Sequence, residues 1–268
     1  MINEDFPRNI DKSGYTLVFH DDFDDGELDR TKWLPYYLPQ WSSRKNSQAN
    51  YRFQESQLVL QITEDKLPWC PEFNGDVKVS NLQTGVFSGP LGSGYGQHKF
   101  SRDCIVREEQ SVERLFTQQF GYFEIRAKGL RNPNNVCAFW MIGFEDQPYK
   151  SAELCPFELK GWNVNTDQCK IGFGIHSFGD PSIHEEFFEK QFSFDPTKFH
   201  IYALDWTEHG VDFYIDNKLI HSSMQSPKYP MQLMLNIYEI PPQESGSTTK
   251  PEYPSEFVID YVSCYRKI

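Results

Sequence analysis

The sequence feature that most limits the fold is a series of short segments in which apolar and polar residues alternate. Alternation with a period of two is typical of β-strands that have one buried face, and glycine, proline, asparagine and aspartate separate the segments as turn residues do. The nine segments are 15–20, 57–63, 121–128, 136–143, 169–176, 199–206, 211–221, 231–238 and 256–265. Helical periodicity is almost absent, so we predict an all-β protein, either a sandwich or a barrel.

The organisation of the chain shows no linker, no internal repeat and no shift in composition. We therefore expect one domain over residues 1–268. Within the segment 211–221, the run from Asp216 to Lys218 predicts a hairpin turn between two strands.

The net charge of −12 and the pI near 5.0 argue against a nucleic-acid partner and against an anionic membrane surface. No run of eighteen apolar residues is present, so we expect no transmembrane helix. The first residues, MINEDFPRNIDKSG, lack the apolar core of a signal peptide. As written, the chain is expected to stay inside the cell, and to act outside only if a leader has been removed.

The six cysteines form no CxxC pair and no spacing typical of metal ligands. We expect them to be reduced rather than joined in disulfides, since six in a chain of this length is ordinary for a reduced protein.

Several segments combine an apolar face with a mixed face that carries aromatic, amide and small side chains. Flat rings can cover the apolar faces of pyranoses, and amides or imidazoles can bind sugar hydroxyls. This pattern predicts a sugar-binding cleft on one sheet. The cleft candidates on these faces are Trp140, His176, Asn236 and Tyr238. The rival interpretations are core packing for Trp140 and a structural role with satisfied hydrogen bonds for His176.

The stretch SAELCPFELKG, at 151–161, carries two acids five residues apart in what otherwise predicts a strand. In a regular strand Glu153 and Glu158 would point to opposite faces. A one-residue bulge near Pro156 and Phe157 would return both acids to one face, and proline is tolerated at bulges. Their Cα atoms would then be roughly 13 Å apart. Their carboxyl groups could approach to about 5–5.5 Å, the separation found in retaining glycosidases.

This stretch resembles the ExDxxE signature of family 16 glycoside hydrolases in its bulged, laminarinase-like form. Other blocks resemble the same family, and together they cover roughly residues 15 to 266. These blocks are GYTLVFHDDFDDGELDRTKW, GYFEIRAK with CAFWMIG, FHIYALDWTEHGVDFYIDNKLI, and FVIDYVSCY.

The resemblance implies a single-domain β-jelly-roll sandwich of the concanavalin A-like kind, whose concave sheet forms the substrate cleft. It implies endo-acting hydrolysis or transglycosylation of a β-linked polysaccharide, such as a β-glucan or galactan, with retention. Carried over by position, Glu153 is the nucleophile and Glu158 the general acid/base. We expect a monomer whose partner is a polysaccharide or oligosaccharide and which requires no cofactor.

Cys155 stands where the family pattern has aspartate. A thiol offers only a weak hydrogen bond, and it removes a negative neighbour, so Glu153 is expected to ionise more easily than beside an aspartate. The change leaves two interpretations open. One is a normal variant of an active enzyme, and the other is a catalytically weak or inactive jelly roll that still binds carbohydrate.

Two further predictions concern residues outside the acid motif. The loop-like stretch KWLPYYLPQW carries Trp33 and Trp41, which we predict to form a sugar platform, with local packing as the alternative. Some family members hold a structural Ca²⁺ near the first and last strands, which makes Asp22 and Asp260 candidate ligands. The region 64–120 matches no recognisable pattern, and we expect it to cover and shorten the cleft.

Overall fold

The alternating segments fold as β-strands in the computed structural model, which describes residues 11–268. Each of the nine predicted segments contains a strand, and the predicted turn has positive φ angles of 48° at Asp216 and 63° at Asn217. The strands of this range are β1 (Tyr15–Asp21), β2 (Asn50–Phe53), β3 (Leu58–Ile62), β4 (Lys78–Gln83), β5 (Gly85–Val86), β6 (Glu113–Arg114), β7 (Gly121–Lys128), β8 (Asn135–Gly143), β9 (Glu153–Lys160), β10 (Cys169–His176), β11 (Glu186–Phe192), β12 (His200–Thr207), β13 (Gly210–Ile215), β14 (Lys218–Ser223), β15 (Met231–Glu239) and β16 (Ser255–Lys267).

Short helices lie in the connections between strands. The α-helices are α1 (Arg44–Ser47), α2 (Pro71–Asn74) and α3 (Pro242–Ser245), and single 3₁₀ turns occur at Pro39–Trp41 and Gly161–Asn163. No helix of the described residues is long and apolar enough to span a bilayer. The prediction about a signal peptide rests on residues 1–14, and the first ten of these lie outside the described range.

The larger strands form two antiparallel sheets. One has the order β14-β13-β12-β7-β16-β3-β2, with β1 also paired to β16, and the other has the order β11-β10-β9-β8-β15-β4. Strands far apart in the chain are neighbours, since β15 lies between β8 and β4, and β16 lies between β7 and β3. The all-β jelly-roll sandwich predicted from the sequence is thereby confirmed.

The main core lies between the two sheets, and aromatic rings join them. The ring of Phe157 on β9 stacks on that of Tyr202 on β12, with centroids 4.0 Å apart. The ring of Phe173 on β10 meets that of Phe213 on β13 at 5.8 Å. All four side chains are fully buried. Each buried aromatic side chain of this size stabilises the fold by about 1.5–3 kcal/mol, so the inner face of β9 is fixed firmly.

A second buried cluster covers part of the outer face of the six-stranded sheet. Met234 of β15 and Val79 of β4 pack there under Trp41, Trp69 and Cys104, which come from the segments 34–41 and 69–106. As the sequence predicted, the region 64–120 covers part of this face. The outer face therefore stays open mainly over β8, β9 and β10.

Candidate active site

The strand β9 carries the predicted bulge. Against β10, Glu158 pairs with Gly172 and Cys155 pairs with Gly174, so three steps on β9 match two steps on β10. Against β8, Phe157 pairs with Phe139 and Leu154 with Met141, which gives the same count. The extra residue lies between Cys155 and Glu158. The backbone thus confirms the bulge that the two acids and the proline predicted.

The bulge sends both acids to the outer face of the sheet. Glu153 lies opposite Ile142 of β8, and Glu158 lies opposite Ala138, four residues earlier on the same strand. Because four is an even number, the two glutamates share a face, while Leu154 between them is in the main core.

Both acids line one pocket of about 460 Å³ on this face. The volume falls within the range of about 300–1,000 Å³ that is usual for small-molecule sites. Its walls come from several strands and from loops distant in sequence. The lining residues are Asn74, Val77, His98, Val136, Ala138, Trp140, Glu153, Cys155, Glu158, Lys160, Trp162, His176, Phe178, Tyr238 and Ile240.

The two acids differ in their charged neighbours. Burial raises the pKa of Glu153 well above its ordinary value, and the carboxylates of Glu158 and Glu185 raise it further. Burial also raises the pKa of Glu158, but Lys160 and His176 act in the opposite direction. The Nζ atom of Lys160 lies 3.5 Å from Oε1 of Glu158. Two carboxyl groups in one dry site resist ionising together, so the pair keeps a proton to a higher pH than an exposed acid would.

Cys155 lies between the acids and is almost completely buried. Its Sγ atom is 3.8 Å from the carbonyl oxygen of Phe139, and burial, with Glu153 and Glu158, raises the pKa of the thiol well above its usual value. A protonated thiol cannot act as a nucleophile. The expected easier ionisation of Glu153 beside a thiol is outweighed by burial, which raises its pKa.

Trp140 forms one wall of the pocket, although only a small part of its ring is exposed. Its Nε1 atom donates to Oδ1 of Asn236 at 2.5 Å, and its ring packs beside that of His98 at 5.2 Å. Asn236 itself is fully buried and does not line the pocket. The prediction that Asn236 contacts substrate is therefore wrong, because its side chain instead holds Trp140 in position.

Tyr238 lines the pocket at the end of β15. Its hydroxyl donates to that of Tyr37 at 3.2 Å, and the two rings meet edge to face at 5.6 Å. Burial, Tyr37 and both catalytic candidates raise the pKa of Tyr238, which therefore stays a neutral hydroxyl.

His176 lines the pocket opposite Glu153 in the register of β10 and β9. Its Nδ1 atom is 2.5 Å from Oε1 of Glu185, and its ring stacks on Phe187 of β11 at 4.3 Å. Phe187 also fills the space over Gly172, where an added Cβ would lie 2.8 Å from the ring. The small residues of β10 thus make room for Phe187, which fixes the orientation of His176.

Comparisons with known proteins place this fold in a family. The family model described as Glycosyl hydrolases family 16 matches residues 42–261, which is most of the chain. The chain belongs to glycosyl hydrolase family 16.

The fold of this family 16 chain is similar to those of two solved structures. The GlcNAcα1-4Gal releasing endo-β-galactosidase from Clostridium perfringens is 32% identical, with a TM-score of 0.81, over 99% of this chain and 65% of that one. SCLam, a non-specific endo-β-1,3(4)-glucanase, is 22% identical with a TM-score of 0.69, over 98% and 95% of the two chains. At that lower identity the likeness shows the fold alone.

A curated sequence relative of the family 16 chain is a β-glucanase of Acetivibrio thermocellus. The two are 24% identical over 123 residues, which are 44% of this chain and 34% of that protein. The chain thus spans about a third of this relative and 65% of the endo-β-galactosidase.

Two predicted substrate contacts of the family 16 chain lie away from the pocket. Trp33 is fully buried in the main core, and its Nε1 atom donates to Oδ2 of Asp21 at 2.7 Å. Trp41 is fully buried beneath the covering segments, with Nε1 donating to the carbonyl oxygen of Gln97 at 2.8 Å. The prediction of a sugar platform there is wrong, because neither ring is exposed.

The two predicted calcium ligands, Asp22 and Asp260, lie beside basic side chains. Oδ2 of Asp260 accepts from Nη1 of Arg126 at 2.6 Å, and Asp22 has a carboxylate oxygen 3.6 Å from Nε2 of His20. Nowhere between residues 11 and 268 do three or more acidic, histidine or cysteine side chains group as metal ligands. As arranged, these side chains do not fit Ca²⁺, and the site stays a prediction without support from them.

Among the wall residues of the pocket that the sequence did not reveal are His98, Trp162 and Phe178. His98 and Phe178 belong to loops far from the acid motif, and Trp162 lies in the turn directly after β9. The position of Trp162, four residues after Glu158, was the one available signal.

Proposed function

We propose that this chain is a retaining, endo-acting glycoside hydrolase, or a transglycosylase, of a β-linked glycan. The observation that carries the proposal is the bulge in β9, which places Glu153 and Glu158 on the same wall of one pocket. A regular strand with the same five-residue spacing would bury one of the two acids in the main core. Membership of family 16 supports the same chemistry.

The reaction would proceed by double displacement. Glu153 attacks the anomeric carbon while Glu158 gives its proton to the glycosidic oxygen, so that the glycosidic bond breaks and a glycosyl ester forms. Glu158, now ionised, then takes a proton from water, whose oxygen attacks the anomeric carbon and releases Glu153. A sugar hydroxyl in place of water would give transglycosylation.

The protein groups around the pair favour the proton on the wrong member for this reaction. Lys160 lies beside Glu158, whereas no donor among the described residues meets the carboxylate of Glu153. Substrate itself can correct this, because a hydroxyl at C2 of the sugar can donate to the nucleophile and strengthen that bond in the transition state. The assignment of roles therefore rests on the motif positions rather than on the charged groups around the pair.

A β-galactosidic bond is the first substrate candidate. The solved structure of an endo-β-galactosidase shares more sequence with this chain and superposes more closely than the glucanase structure described above. β-Glucans are the second candidate, since a curated β-glucanase is also a relative.

The experiment is a panel of β-galactans, β-1,3-glucans, mixed-linkage glucans and glycans that end in GlcNAcα1-4Gal. We expect reducing ends to appear with at least one of them, and proton NMR to show the β-anomer as the first product. An α-anomer as first product would refute retention, and no release from any glycan would refute hydrolysis.

A carbohydrate-binding protein without turnover is the second candidate function. The specific observation is Cys155, a buried neutral thiol at the position of the family's aspartate, together with the raised pKa of Glu153. Binding of a panel glycan, measured by calorimetry, without any release of reducing ends would favour this candidate.

A further inference from the structure

A small recess adjoins the catalytic pocket beyond the N-terminal end of β9. It has a volume of about 200 Å³ and shares His98 and Phe178 with the pocket. Its other walls come from the loops 94–99 and 145–151, and from Gly179. Ser151, two residues before Glu153, connects the recess to the catalytic strand.

Glu145 is the buried acid of this recess. Only 5% of the residue is exposed, and Oε1 accepts from the backbone N–H of His98 at 2.8 Å. No donor of residues 11–268 meets the other carboxylate oxygen. Burial raises the pKa of Glu145 to about 8. This second oxygen is not among the fully buried unpaired polar atoms, so a water molecule or a ligand hydroxyl in the recess can reach it.

The loops around Glu145 are held in an unusual backbone conformation. His98, Glu145 and Phe178 have positive φ angles of 46°, 57° and 40°. Non-glycine residues with such angles are uncommon and occur preferentially at ligand sites, where the surrounding structure holds them.

Hydrogen bonds between the loops fix that conformation. The hydroxyl of Tyr95 donates to the carbonyl oxygen of Asp146 at 2.7 Å, and the N–H of Gly179 donates to Oγ of Ser151 at 2.9 Å. The recess is therefore formed before any ligand arrives, which lowers the entropic cost of binding.

The surface of the recess suits a neutral sugar. Phe178 is 51% exposed and offers a ring face, while the ring of His98 meets it edge to face at 4.9 Å. A carboxyl group can accept from a sugar hydroxyl when ionised or donate to one when protonated. Lys99 also lines the recess, so its ammonium group and the carboxyl group of Glu145 give the recess no single sign of charge that would select a charged sugar.

We propose that the recess is a second sugar subsite, which holds a neutral sugar unit of the same glycan chain whose bond lies between Glu153 and Glu158. The proposal rests on the proposed function, because it takes the adjoining pocket as the place of cleavage. It adds that the protein selects glycans long enough to reach Glu145.

Calorimetry in the Glu153→Gln background tests the subsite without turnover. The probes are β-1,4-galacto-oligosaccharides and β-1,3-gluco-oligosaccharides, from the disaccharide to the hexasaccharide. We expect affinity to rise sharply at one chain length, and Glu145→Gln to remove that rise, about tenfold in Kd. If affinity rises equally with chain length with and without the Glu145→Gln substitution, the proposal is overturned. It is also overturned if neither series of oligosaccharides binds.

Two further variants separate the subsite from general effects. Phe178→Ala changes an exposed ring and should also reduce the affinity ratio of long to short oligosaccharides. Glu124→Gln neutralises a buried glutamate on the opposite face of the sandwich and should leave that ratio as it is. A Glu145-dependent rise in affinity without hydrolysis of any panel glycan would support the subsite and refute the hydrolase, whereas hydrolysis without the rise would do the reverse.

Discussion

Each outer face of the sandwich buries a glutamate on a central strand, but only one of the two glutamates has a cationic partner. On the eight-stranded sheet, Glu124 of β7 accepts from Nζ of Lys12 at 2.6 Å, and the hydroxyl of Tyr265 lies 3.4 Å away. On the six-stranded sheet, Glu153 faces Glu158 and Glu185, and no cation of the described residues pairs with it.

The difference shows what each face is built for. A buried carboxylate with an ammonium partner is compensated, and it serves to hold the strand and the preceding chain together. A buried carboxyl group without a partner destabilises the fold, and such groups cluster where chemistry needs a shifted pKa. Neutralising each glutamate in turn should therefore have opposite consequences for activity and stability.

The largest expected effect is on turnover. Glu153→Gln should lower kcat/KM at least about 10³-fold, because an amide cannot form the glycosyl ester. Glu124→Gln should keep the activity within about twofold, since this face is remote from the reaction. Initial rates of reducing-end release measure both. Full activity in the Glu153 variant would remove this residue from the nucleophile role.

Replacing the acid/base should give a loss that depends on the leaving group. We expect Glu158→Gln to lower the rate about 10²–10⁴-fold on natural glycans, because the leaving oxygen receives no proton. Aryl glycosides with acidic leaving groups need no proton, so their first step should be spared. Burst kinetics with a dinitrophenyl glycoside measures this. An equal loss on both kinds of substrate would contradict the assignment.

Stability should respond to the same substitutions in opposite directions. Because the pKa of Glu153 is raised above its ordinary 4.5, the native state holds a proton that the unfolded chain has lost, and stability falls as pH rises through that window. At pH values above the ordinary pKa of the glutamate, Glu153→Gln should then raise the Tm. The rise should be about 2–4 °C for each kcal/mol gained in the free energy of unfolding.

Glu124→Gln is the matched control and should lower the Tm near neutral pH, because it breaks the pair with Lys12. Thermal unfolding from acidic to neutral pH measures both variants. A lower Tm for the Glu153 variant at every pH would show that its carboxylate is compensated after all.

The smallest expected effect concerns Cys155. Cys155→Asp adds a third carboxyl group beside Glu153, so the acidic limb of the pH–activity profile should move to higher pH by about one unit. Cys155→Ser stays neutral and should leave the limb in place. A large loss of activity at every pH in the aspartate variant would instead give the thiol a role of its own.

The sequence predicted the strands that pack between the sheets, because alternation reports one buried face. It did not predict β2, β4, β5, β6 or β11. β11 is an edge strand with mixed burial, and the polar Asn81 and Gln83 on the outer face of β4 are buried by loops rather than exposed. Contacts with distant loops overrule the local pattern in such places.

The strand that carries the two candidate catalytic acids was predictable because its bulge leaves a local signature of two acids and a proline. The rest of the site was not. Trp41 is buried only because Gln97 and the covering segment reach it, and His98 and Phe178 join the pocket from separate loops. Such contacts depend on the tertiary fold, and no spacing within the sequence records them.

The bulge also makes the length of one strand as important as its composition. Deleting the single residue Pro156 would bring Glu153 and Glu158 to a spacing of four, and the register against β8 and β10 would become regular. Both glutamates would still lie on the outer face, because four is an even number of strand steps. A bulged strand and a strand one residue shorter therefore present the same acid pair, whereas one further inserted residue between the acids would turn Glu158 toward the aromatic core.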